Sequence, residues 1–88
     1  SPVGAVYGPD GNLYFAEQTR GIIRMIDASG RLRSLNRPLG GIPPVTGDRL
    51  EAAYLISPHA LKFDREGRLL FATGRSRIYR LERDGRLS

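Results

Sequence analysis

The chain has 88 residues, with 14 Lys and Arg against 9 Asp and Glu, no Cys and a net charge of +5. That length supports one small domain with a high surface-to-volume ratio, and the lack of Cys excludes disulfide staples and thiolate metal sites. No apolar run approaches the roughly 20 residues of a membrane-spanning helix, so membrane insertion is excluded, and no signal peptide is visible.

Val3 to Tyr7 reads as a first strand. Pro9-Asp10-Gly11 is a tight turn, because proline presets φ and glycine accepts a positive φ. Leu13 to Ala16 is a second strand, with Leu13 and Phe15 on one face and Tyr14 and Ala16 on the other. A strand apolar on both faces needs cover on both. Glu17 to Gly21 is a polar break, and Ile22 to Asp27 is a third strand rich in β-branched residues. After the turn Asp27 to Gly30, Arg31 to Leu35 alternates strictly and reads as a half-exposed outer strand with its arginines toward water.

Asn36 to Pro44 is a linker, and Pro43-Pro44 excludes a central strand there. Asp48 and Glu51 have capping-box spacing. They predict a helix of about two turns, with Leu50, Ala53 and Tyr54 on one face, ended by Ser57-Pro58. His59 to Asp64, Arg68 to Ala72 and Arg77 to Glu82 are three further strands. Only Leu87-Ser88 remains for an eighth, so the last strand is expected to be truncated.

The chain repeats itself. Ser1-Pro2, Gly11, Leu13, Phe15 and Ala16 recur 56 residues later as Ser57-Pro58, Gly67, Leu69, Phe71 and Ala72. After one deletion in the polar break the offset becomes 55, and Ile23, Ile26, Asp27, Gly30, Arg31 and Leu32 recur as Ile78, Leu81, Glu82, Gly85, Arg86 and Leu87. A repeat of this length implies stacked supersecondary units.

The pattern Asp10-Gly11, Leu13-Tyr14-Phe15-Ala16, polar loop, Ile23-Arg24 to Gly30 resembles the NHL repeat of β-propellers. Gly67 to Ala72 and Arg77 to Leu81 carry it a second time. The segment Thr46 to Pro58 looks like the longer inter-blade loop of bacterial NHL and teneurin/Rhs-type propellers. The resemblance implies an all-β fold of about two four-stranded antiparallel blades: residues 1–36, an inter-blade loop with one short helix over 37–56, and residues 57–88 with a truncated outer strand. Phe15 and Phe71 are then equivalent and both expected to be buried between sheets. Two blades alone would expose side chains such as Leu13, Phe15, Ile23 and Phe71. The chain is therefore expected to be an excerpt of a longer propeller or a homo-oligomer, three copies making a six-bladed ring. Residue 1 is not Met, so the chain is expected to be a processed or excerpted one from which any leader could have been removed, and the compartment stays open with an extracytoplasmic one favoured.

The same resemblance places inter-blade loops and polar breaks on one face, where a protein, peptide or glycan ligand would bind. The candidates there are Glu17, Gln18, Arg20, Tyr54, His59 and Arg75. The expectation is a non-enzymatic scaffold or binding surface without cofactor or metal. The alternative is a catalytic propeller. The stretch Gly8 to Glu17 looks like a blade of the virginiamycin B lyase group, and Arg68 to Leu81 like a gluconolactonase-type blade. Either implies His59 and Glu17 as catalytic residues and a divalent cation. The lyase pattern is split here, because Val3 stands where the first copy would carry histidine and Thr73 where the second would carry glutamate. RNA binding is the weaker third reading. Thirteen of the fourteen basic residues are Arg, Lys62 excepted, but they are dispersed, and a nucleic-acid surface clusters them.

Overall fold

A computed structural model describes residues 4–38 and 41–88. The readings placed on Ser1, Pro2, Val3, Leu39 and Gly40 lie outside the described residues. The fold is all-β. Strands β1 (Ala5–Tyr7), β2 (Leu13–Glu17), β3 (Ile22–Ile26) and β4 (Leu32–Ser34) form one antiparallel meander. Strands β5 (His59–Phe63), β6 (Leu69–Thr73) and β7 (Arg77–Arg80) form a second.

The sequence repeat is repeated in the hydrogen-bond register. Ala16 faces Ile23 across β2 and β3, and Ala72 faces Ile78 across β6 and β7. Val6 faces Tyr14 as Lys62 faces Leu70. The turns correspond as well. Gly11 and Gly67 both take left-handed φ angles, 83° and 79°, and Gly30 and Gly85 both take 86°. These glycines close turns that a Cβ would strain. The aspartates help. Asp27 and Asp64 each accept two backbone N–H groups of their own turn; the Ser29 hydroxyl first and then the Arg31 N–H hold the Asp27 carboxyl below its ordinary range, and the Arg68 N–H foremost does so for Asp64.

The sheets pack front to back. In the first, Ala16, Ile23 and Met25 are buried beneath the second. In the second, the opposite face is buried, with Leu69, Phe71 and Tyr79 inward. Ile23 joins these three, together with Leu50, Ala53, Leu55 and Leu87, in one core cluster. Tyr14 and Phe63 seal one end of the interface edge to face, with ring centroids 5.0 Å apart. The expectation of uncovered side faces is therefore corrected for Ile23 and Phe71, which are fully buried, and upheld only in part for Leu13 and Phe15, which are half-buried.

Two other expectations change. The two-turn helix is a single 3-10 turn, Leu50–Ala52. Neither acid caps it. Asp48 accepts the Val45 N–H, and Glu51 pairs with Arg49. Ala53 is already extended (φ −88°, ψ 150°), because the chain must there lie flat to carry Ala53 and Leu55 into the core. The outer strand of the first sheet is fully exposed over Leu32–Ser34, and Leu35 supplies its inward contact. The second sheet has three full strands, its fourth being as short as the sequence leaves room for, and its edge is not bare. Leu87 bridges Leu81 and is buried, and Ser88 exchanges two backbone hydrogen bonds with Arg80.

Candidate functional site

Glu17 ends β2 and, by the alternation of the strand, shares the outward face of the first sheet with Phe15. Its carboxylate pairs with Arg24 on the neighbouring strand and stands 3.8 Å from Arg20. The Arg24 Nε is buried and makes this ion pair without an aligned hydrogen bond. Gln18 and Arg20 lie in the exposed turn between β2 and β3.

His59 opens β5. Its Nδ1 lies 2.7 Å from the Ser57 carbonyl, which only accepts, so Nδ1 carries the proton. The ring lines a crevice with Gln18, Ala16 and Pro58 that encloses about 10 Å³. That is space for about one water. No hydrogen bond or ion pair joins His59 to Glu17, and Glu17 does not line the crevice. Among the described residues no group of three or more His, Asp or Glu is placed to hold a metal ion. The pair implied by the lyase resemblance is thus engaged separately: the histidine with its own turn, the carboxylate with two arginines.

Tyr54 is half-buried. Its ring lies against Gly41, where a Cβ would overlap it, and its backbone forms an isolated parallel bridge with Arg37. This glycine is required by close approach, and Tyr54 acts in packing rather than as a free surface aromatic.

Arg75 stands elsewhere. It lines a cleft of about 220 Å³ between the Pro43–Val45 segment and the end of the second sheet. Its floor includes Pro44, Leu55 and Tyr79, all buried, and the Tyr79 hydroxyl donates to the Pro44 carbonyl (3.1 Å). Arg77 shares the rim. Of the sequence candidates, then, Gln18 and His59 come together, Glu17 and Arg20 come together, and Tyr54 and Arg75 stand apart.

Comparison with family models, with curated proteins and with solved structures finds no match to this chain.

Two features of the cleft were not legible as site residues. Arg77 reads as an ordinary strand residue, and Pro43-Pro44 reads only as a strand breaker. A further ionic cluster is structural. Arg68 reaches Asp64, Glu66 and Glu82. Glu82 also accepts from the Ser88 hydroxyl and from Arg80, and these donors, Ser88 foremost, hold its carboxyl down at about 2. The cluster fastens the chain end to the second sheet.

Proposed function

We propose that the two sheets are adjacent blades of an NHL-type propeller, and that the chain is a non-enzymatic scaffold whose loop ends bind a protein, peptide or glycan. The observation that supports this is the front-to-back packing of two sheets with one register. Such an interface is heterologous: the face used by one unit is not the face used by the next. It therefore leaves a matched pair of open faces. The Leu13, Phe15 and Ile26 face of the first sheet corresponds to the buried Leu69, Phe71 and Leu81 face of the second. The Leu70, Ala72 and Ile78 face of the second corresponds to the buried Tyr14, Ala16 and Ile23 face of the first.

Repeats of this type stack until the ring closes. The open faces would be met by further blades in a longer chain or by further copies of this one. Three copies of the 88-residue chain make six blades, and we infer that trimer for the isolated chain. Light scattering tests it: three times the subunit mass, with a melting temperature that rises with protein concentration, supports the stack. A monomer at every concentration refutes it. The non-enzymatic reading is tested separately. Hydrolysis or opening of a lactone or cyclic ester that depends on both His59 and Glu17 would overturn it. A steep fall of nucleic-acid affinity with salt would favour the RNA reading instead.

A further inference from the structure

The Arg75 cleft lies at the strand ends and is not used by either open sheet face. Its rim is cationic without a counter-charge. Arg75 and Arg77 are exposed, neither pairs with a carboxylate among the described residues, and no Asp or Glu lines the cleft. Its floor is apolar, and Val45 extends that surface outward at 63% exposure. Thr73 is buried beside it; its hydroxyl donates to the Gly74 carbonyl at a long 3.3 Å, and among the described residues its oxygen accepts no hydrogen bond.

Left-handed backbone occurs on the turn that carries Arg75 and on the segment beside it. Arg75 (φ 66°) and Ser76 (φ 58°) are consecutive left-handed residues, and Ser57 (φ 46°) and Ala60 (φ 53°) are the other two non-glycine cases among the described residues. The two segments abut, because the Gly74 N–H donates to the Ile56 carbonyl at 2.7 Å. Ala60 lies at the irregularity in β5 and lines the His59 crevice instead. Arg75 and Ser76 form the tight hairpin turn between β6 and β7, where consecutive positive φ angles match the twist of the two strands. That turn sets Arg75 at the edge of the cleft.

We propose that this cleft binds the free C-terminal residue of a partner peptide. Arg75 and Arg77 take the terminal carboxylate, the last side chain, an apolar one, rests on Pro44 and Tyr79, and the Thr73 hydroxyl accepts a peptide N–H. A terminal residue carries charge and apolar bulk on one Cα, which suits guanidinium groups placed at the edge of an apolar floor. The volume agrees: about 220 Å³ is below the roughly 300–1,000 Å³ of whole small-molecule sites and fits one residue. The proposal rests on the binding-scaffold reading and narrows it.

The test uses N-acetyl-Ala-Ala-Leu with a free carboxylate and the same peptide with a terminal amide. Each is titrated into the isotope-labelled 88-residue chain. The acid should shift the backbone amide signals of Val45, Gly74, Arg75 and Arg77 saturably, and the amide should bind at least about tenfold more weakly, as expected for lost hydrogen bonds to a charged group. Arg75→Gln with Arg77→Gln should lower the affinity for the acid by that factor and leave the affinity for the amide unchanged. Both arginines are exposed, and an otherwise unaltered spectrum shows that the variant is folded. Equal affinity for acid and amide, shifts confined to other residues, or no saturation at millimolar peptide would each overturn the proposal. Those results would leave the scaffold reading standing, whereas lactone chemistry at His59 and Glu17 would remove that reading without touching the titration.

Discussion

Ile23 and Ile78 occupy the same register position in the two sheets, opposite Ala16 and Ala72, yet Ile23 is 0% exposed and Ile78 is 73% exposed. The mirror case is Phe71, fully buried, against Phe15, half-buried. Residues that the repeat makes equivalent are made unequal by the stacking alone.

This inequality sets the first expectation. Phe71→Ala should cost about 3–5 kcal/mol, the range for a buried aromatic. Phe15→Ala should cost clearly less in the dilute chain, because that side chain is only partly buried. Denaturant unfolding of both variants at low concentration measures the difference. Equal losses would show that Phe15 is covered in solution.

Self-association should respond to the opposite face. Ile78→Arg puts a charge where the stack would place an apolar contact, on a side chain already exposed in the single chain. It should leave the unfolding midpoint of the dilute protein within about 0.5 kcal/mol of wild type, as for surface positions generally. Sedimentation should find it monomeric at concentrations where the wild-type chain associates.

Asn36 should be the most sensitive polar position. It is buried, its Oδ1 accepts the Ile23 N–H at 2.8 Å, and its Nδ2 donates to the Gly21 and Arg37 carbonyls, both at 2.9 Å. Asn36→Leu strands these backbone groups and should cost about 1–3 kcal/mol. Hydrogen exchange at the Ile23 amide should accelerate in that variant. Unchanged protection would mean that water replaces the side chain without loss.

Gly8 should resist even alanine. A Cβ there would stand 2.7 Å from Tyr14 Cε1 and 2.9 Å from Phe63 Cζ, inside the edge-to-face pair that joins the sheets. Gly8→Ala should cost about 1–3 kcal/mol by overpacking. Gly4→Ala, with nothing near its Cβ, serves as the neutral comparison in the same thermal melts.

Acid should loosen the chain end. Glu82 is held at about 2 against an ordinary 4.5, by Ser88 first and then by Arg80 and Arg68. A depressed carboxyl contributes its full stabilisation above 4.5 and loses it as pH falls toward 2. The melting-temperature gap between wild type and Glu82→Gln should therefore be constant above about pH 5 and close across that window. A gap that persists at pH 2 would show that the contact does not depend on the charge.

Much of the architecture was written locally. Alternation and β-branched runs marked the strands, and Pro9-Asp10-Gly11 and Gly30 marked turns, because these signals depend only on neighbours along the chain. The repeat added the expectation of two like units, and the matching registers are its structural counterpart. Other features depended on distant neighbours. Asp48 and Glu51 had the spacing of a helix cap, but the core demanded an extended Ala53, and the tertiary requirement prevailed over a local signal worth about 1 kcal/mol. Which of two equivalent faces is buried could not be written in a repeat at all, since both copies carry both faces. Asn36 became a buried bracket only when it met Ile23 and Gly21, 13 and 15 positions back, and Arg75 and Arg77 became the rim of a cleft only when Pro44 met Tyr79, 35 positions on. Local sequence determined strands, turns and their repetition, because those follow from backbone preference and side-chain period. Tertiary structure decided burial, the unequal faces and the cleft, because these are properties of surfaces that exist only after the sheets have stacked.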